Sequence, residues 1–223
     1  MATTSLPLPL IHQENHPNVK KVYVVGGSGI IEELAKVGVE CIGGPMKPGE
    51  QGAMSEKDVE IFDPDPDVGA VIVGMSTDFS YSMITKANAY LRNPDVAFIC
   101  TNADPYDILN GGAHQPAAGV MVAGIECCSG RKAVNVGKPS KFLFDIICKN
   151  FGVEPESSLM VGDRLDTDID FGVQNSMMSA LVLSGCTTGS MAANIYNRVP
   201  NPGVVGNIEP TVILPHLGYM CNS

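Results

Sequence analysis

Val136-Gly137-Lys138-Pro139-Ser140, followed some twenty residues later by Leu159-Met160-Val161-Gly162-Asp163-Arg164-Leu165-Asp166-Thr167-Asp168, is the stretch on which the reading of this chain turns. Between its halves Phe142, Leu143, Ile146 and Ile147 recur at helical spacing, with Pro139 suited to the first helical position and Gly152 to the stop. Leu159-Met160-Val161 then reads as a short buried strand, and Gly162 permits a sharp turn that leaves Asp163 at the strand's carboxyl end. Ile169, Phe171 and Val173 lead through a second helix to another apolar strand, Ala180-Leu181-Val182-Leu183. Helix, strand, helix, strand predicts an α/β fold with a parallel sheet. In such sheets ligands bind beyond the carboxyl ends of the strands, where Asp163 stands.

Upstream, Lys20 to Val25 reads as a strand and Gly26-Gly27-Ser28-Gly29 as a turn. Ile30, Ile31, Leu34 and Val37 form the apolar face of a helix stopped by Gly38. This imitates a dinucleotide-binding opening with Glu40 as the acidic partner. Glu32, however, stands where the third glycine belongs and the acid comes early, so a plain strand-turn-helix unit is the better reading. Gly43 to Ser55 is a loop. Phe62-Asp63-Pro64-Asp65-Pro66-Asp67 offers Asp-x-Asp pairs, the form in which many phosphotransfer enzymes present a nucleophile and its acid-base partner. Here the apolar strand Ala70 to Gly74 follows the acids instead of preceding them and the prolines fix a loop, which predicts a solvated linker.

Tyr81 to Leu91 reads as a helix, Val96 to Cys100 as a strand, and Thr101-Asn102-Ala103-Asp104 as the polar loop at its end. A second polar loop, Leu109 to Ala118, holds Gly111, Gly112 and His114, and is followed by the apolar stretch Gly119 to Ile125. Gly130-Arg131-Lys132 closes the region. A lone loop histidine is usually solvated, although His114 could touch a substrate. Gly137-Lys138 imitates the end of a phosphate-binding P-loop, but Lys132 occupies the place of the leading glycine and Pro139 that of the Ser or Thr, so no nucleotide loop is expected.

A formal net charge of -10 argues against a nucleic-acid partner, which requires clustered Lys and Arg. The cysteines, Cys41, Cys100, Cys127, Cys128, Cys148, Cys186 and Cys221, are odd in number and form no Cys-x-x-Cys pair. They read as reduced core residues of a cytoplasmic protein. Met1 to Leu10 has no basic residue and two prolines, and no apolar run approaches the ~20 residues that span a bilayer, so neither a signal peptide nor a membrane partner is expected.

Gly137-Lys138-Pro139 paired with Gly162 to Asp168 resembles the haloacid dehalogenase superfamily. Within it, the likeness is to the NagD-like branch of 4-nitrophenylphosphatase, phosphoglycolate phosphatase and pyridoxal phosphate phosphatase. It extends over Lys21 to Gly26, Val71 to Gly74 with Phe79-Ser80-Tyr81, Thr101 to Asp104 and Leu181 to Gly185. The resemblance implies a Rossmann-like hydrolase core, present here as its C-terminal half, and an α/β cap domain. Residues 1–19 would then be an irregular arm, 20–131 mainly cap, and 132–223 the C-terminal half of the core.

It also implies a Mg2+-dependent phosphate monoester hydrolase acting through an aspartyl-phosphate. Lys138 matches the lysine that neutralises the nucleophile and the transferring phosphoryl group. Asp163 matches the magnesium ligand, and Asp168 the second acid, which steadies the metal's waters or the lysine. Arg164 and Asp166 are expected to be structural. Lys138, Asn102 and Asp104 are the expected contacts to a small phosphate monoester, and relatives imply a homodimer through the cap.

The chain departs from the family where it matters most. The Asp-x-Asp-Gly motif that supplies nucleophile and acid-base group is absent, and no Ser or Thr beside Asn stands in residues 1–19 to bind the phosphoryl oxygen. Ser76 replaces a common Asp, Ala117-Ala118-Gly119 a Gly-x-Gly pair, and Ser176 a Gly. Two readings follow: an N-terminally truncated phosphatase, inactive alone, or a non-catalytic isoform or binding protein acting through its cap.

Overall fold

The computed structural model describes residues 18–109, 112–201, 204 and 208–221. The expected arm, with His12 and His16, and Gly111 of the second polar loop therefore lie outside the described residues. The chain divides into two units, residues 1–107 with 114–137, and residues 108–113 with 138–223.

In the first unit, β-branched residues alternate across a parallel sheet. Its strands are β1 (Lys21–Val25), β2 (Glu40–Gly43), β3 (Val68–Val73), β4 (Ala97–Cys100) and β7 (Val134–Asn135), laid in the order β2-β1-β3-β4-β7. Tyr23, Val25, Val71 and Val73 point to one face, where they meet Met83, Ala87 and Leu91 of α3 (Tyr81–Leu91) and Met121, Val122 and Ile125 of α4 (Ala118–Ser129). Helix α1 (Ser28–Ala35) buries Ile30 and Leu34. A Cβ on Gly26 or Gly74 would collide with Cδ1 of Ile30. The glycines at the ends of β1 and β3 thus admit a packed isoleucine, which gives the strand-turn-helix reading its physical reason. Helix α2 (Glu56–Ile61) begins in a reciprocal capping box between Ser55 and Asp58.

Several expectations need correction. The acidic linker is anchored and not merely solvated, because Lys21 Nζ lies 2.9 Å from both Asp65 Oδ2 and Glu40 Oε1. The second polar loop contains a hairpin, β5 (Tyr106–Ile108) with β6 (His114–Pro116), on which the His114 ring stacks 4.5 Å from that of Tyr106. Of the cysteines whose side chains are described, only Cys100 is buried; Cys127 and Cys128 are exposed, and all six are free. Val134–Asn135 joins the first unit's sheet and the division falls at Gly137–Lys138. Arg131 stitches the turn after α3, donating to the carbonyls of Leu91, Asn93 and Val96.

The second unit is a smaller parallel sheet in the order β10-β9-β8, made by β8 (Leu159–Gly162), β9 (Met178–Val182) and β10 (Val212–Leu214). Helix α5 (Lys141–Phe151) precedes β8. It is capped by Ser140, with Pro139 one residue before the cap and not at the first helical position, and it stops at Gly152, whose φ of 62° is left-handed. Phe144 of α5 meets Phe171 of α6 (Asp170–Gln174) edge to face at 5.9 Å. Leu165, Ile169, Leu181 and Ile208 form the core, and α7 (Gly189–Tyr196) adds Ile195. Ser176 holds φ 58°, a conformation that glycine adopts freely and serine does not.

Strand β8 pairs with β9 alone among the described strands, and each of its four residues is half-buried. It is therefore an edge strand and not one buried on both faces. Strand β3, by contrast, is paired on both sides and Val71 and Val73 are fully buried. Native-state hydrogen exchange is expected to find the amides of Val71 to Val73 protected roughly 100-fold or more beyond those of Leu159 to Val161, because protection follows buried, paired backbone. Equal protection in a monodisperse monomer would show that the three-stranded unit is self-sufficient.

Candidate active site

The carboxyl end of β8 is where the second unit concentrates charge. Gly162 ends the strand, and Leu165–Ile169 follows as a wide, π-type turn running into α6, with the amide of Ile169 reaching back to the carbonyl of Arg164. Wide turns of this kind occur often at functional sites. This one brings Asp168 back beneath the end of β8. Its Oδ2 accepts the amides of Asp163 and Arg164 at 3.1 Å each, and its Oδ1 pairs with Lys138 Nζ at 2.5 Å. A carboxylate on the first amides of a helical turn is favourable for the same reason that acids cap helices. A Cβ at Gly162 would fall on the Asp168 carboxylate, so glycine is required by this packing.

Asp163 is half-buried, and its Oδ2 accepts the amide of Cys186 at 2.7 Å. Its main-chain carbonyl accepts the amide of Thr187 at 3.0 Å. Arg164 spans both sides, its guanidinium lying 3.2 Å from Asp166 Oδ2 and 3.6 Å from Cys186 Sγ. Burial first, and then the neighbouring Asp163 charge, push the Cys186 thiol up, against a smaller opposing pull from Arg164. The thiol stays protonated near neutrality, which makes it a poor nucleophile.

Lys138, Asp163 and Asp168 are thus gathered in one unit. Asn102 and Asp104 belong to the other, so this cluster is built without them. There the Asn102 side chain accepts the amide of Asp104 at 3.2 Å, and the carbonyl of Asp104 accepts the amide of Gly119 at 2.9 Å. A Cβ on Gly119 would press on the carbonyls of Ala103 and Asp104, which accounts for the glycine kept within Ala117-Ala118-Gly119. At Ser76 the hydroxyl donates to Asp78 at 2.6 Å, and Asp78 also takes the amide of Met46. The contacts from Cys186 and Thr187 escaped the sequence reading because they are main-chain amides and leave no side-chain signature.

Magnesium prefers carboxylate oxygens and keeps several waters when few are offered. Asp163 fits that demand as one ligand: its carboxylate is half-buried, and its Oδ2 is oriented by the Cys186 amide. Asp168 is already committed to three donors. Among the described residues no group of three or more His, Cys, Asp or Glu side chains could hold a metal, so the chain's own donor set is a partial one.

A model of the haloacid dehalogenase-like hydrolases matches residues 7–175, and a second, of related hydrolases, matches 135–217. The chain belongs to the haloacid dehalogenase-like hydrolase family. It is 41% identical over 167 residues to chronophin of Mus musculus, a match that covers 75% of this chain and 51% of that protein. It is 39% identical over 186 residues to phosphoglycolate phosphatase 2 of Arabidopsis thaliana, covering 83% of this chain and 61% of that one. Its fold matches that of NagD from E. coli K-12 with a TM-score of 0.70 and 29% identity, over 96% of this chain and 70% of NagD. These relatives place the chain in the NagD-like branch of the family. It spans about half to three-fifths of the length of these two curated relatives. No helix among the described residues is long and apolar enough to cross a membrane.

Proposed function

We propose that this chain carries the lysine and metal-ligand half of a magnesium-dependent phosphate monoester hydrolase, with the first unit as its cap and the second as the C-terminal half of its core. The observation that carries the reading is the Lys138–Asp168 pair beside Asp163 at the carboxyl end of β8. Family membership and the phosphatases among the relatives support the reaction class. Asp163 would hold Mg2+ through its carboxylate, and the ion would supply charge neutralisation to a phosphoryl group. The Lys138 ammonium, fixed by Asp168, would supply positive charge to a phosphoryl group at this end of β8. Hydrogen bonds set in advance cost no reorganisation as charge develops. Asp168 holds Lys138 in place and orders the backbone of Asp163.

The alternative, a non-catalytic chain, is favoured by one specific observation: no Asp-x-Asp-Gly stands anywhere in the sequence. The test is an assay on 4-nitrophenyl phosphate of a version extended at its N-terminus by an Asp-x-Asp-Gly-bearing segment taken from a relative. Magnesium-dependent turnover that disappears in Asp163→Asn is the expected result. Turnover that survives that substitution would remove Asp163 from the metal site.

A further inference from the structure

We propose that the turn Gly185-Cys186-Thr187, which follows β9, is a positioning element that aims the Asp163 carboxylate. The inference rests on the phosphatase reading above and adds residues to it. Three observations converge. Cys186 donates its amide to Asp163 Oδ2 at 2.7 Å, within the range of charge-assisted bonds. Thr187, itself 1% exposed, donates its amide to the Asp163 carbonyl at 3.0 Å, so the residue is gripped by side chain and main chain together. Gly185 lies against the carboxylate so closely that a Cβ built on it would fall 2.5 Å from Asp163 Cγ and 2.7 Å from its Cβ.

The grip sets how the carboxylate faces. With Oδ2 held by the Cys186 amide, rotation about χ2 of Asp163 is restrained, so the direction in which the carboxylate meets a cation is fixed by the turn. A side chain at Gly185 would have to displace the carboxylate or the turn, and either movement breaks the amide bond. The φ of Gly185 does not lie in the left-handed region, so an alanine there meets a steric demand from Asp163 and not a conformational one. Partners that orient a metal ligand in this way are worth about 10–100-fold in metal affinity when lost.

The test uses Mn2+ as the probe, followed by electron paramagnetic resonance and by broadening of amide resonances in the 223-residue chain. Gly185→Ala is expected to weaken Mn2+ binding by about tenfold or more. Gly189→Ala, where an added Cβ meets nothing within 4 Å, should leave it unchanged. Equal binding by Gly185→Ala and the unsubstituted chain overturns the inference and leaves the phosphatase reading standing. If the unsubstituted chain takes up no Mn2+, or takes it up equally in Asp163→Asn, both fall together. Should Gly185→Ala fail to fold, the unsubstituted chain decides: the amides of Cys186 and Thr187 must be among those broadened first by Mn2+, and their remaining sharp overturns the proposal.

Discussion

The purified 223-residue chain is expected to hydrolyse 4-nitrophenyl phosphate in magnesium no faster than its own Asp163→Asn variant. Aspartyl-phosphate chemistry needs a carboxylate in line with the phosphorus and an acid-base group for the leaving oxygen. The cluster at the end of β8 offers neither. The Asp163 carboxylate is held by the Cys186 amide and that of Asp168 by Lys138 and two amides, so both are occupied by other work. Where a nucleophile has been removed from a covalent mechanism, rates drop by about a millionfold, leaving only what binding and electrostatics supply. The Asp63 and Asp65 pair does not rescue the count, since Asp65 is bound to Lys21 in the first unit. A magnesium-dependent rate typical of an enzyme, abolished in Asp163→Asn, would refute the expectation and send the search to those two aspartates.

The second large effect concerns stability. Replacing Asp168 by alanine removes a carboxylate whose side chain is 6% exposed and which satisfies Lys138 and the amides of Asp163 and Arg164. The two amides lose their acceptor, while Lys138, at 39% side-chain exposure, can return to water. The cost should be about 2–4 kcal/mol, set by the stranded backbone donors more than by the ion pair. Asp166→Ala breaks a single pair with the largely buried Arg164 and should cost less, about 1 kcal/mol. Against the ~5–15 kcal/mol of an ordinary domain, the first substitution threatens the fold of the second unit and the second does not. Urea titrations followed on the amides of β8 and β9 would measure both. A difference below about 1 kcal/mol between the two variants would show that Asp168 is not the keystone of the turn.

Helix α3 was legible over Tyr81 to Leu91, where the structure adds the Ser80 cap, and β8 followed from three apolar residues ahead of a glycine. Lys138, Asp163 and Asp168 were legible because a lysine motif and an acid pair five residues apart are patterns of side-chain type. The β5–β6 hairpin was not, since its strands are three residues each and its residues include Asp107, His114 and Pro116, which carry no strand periodicity.

By itself, then, the sequence determined the α/β alternation, the family, and the absence of an Asp-x-Asp-Gly motif, because each of these is a matter of order and residue type along the chain. Only the tertiary structure decided that Asp65 is tied to Lys21, that Asp168 spends its carboxylate on Lys138 and two amides, and that Gly185, Cys186 and Thr187 grip Asp163. Such contacts join residues 4 to 44 positions apart, and those at Asp163 and Asp168 run largely through main-chain amides and the missing volume of a side chain. Neither leaves a mark on sequence until the backbone has folded and brought the partners within reach.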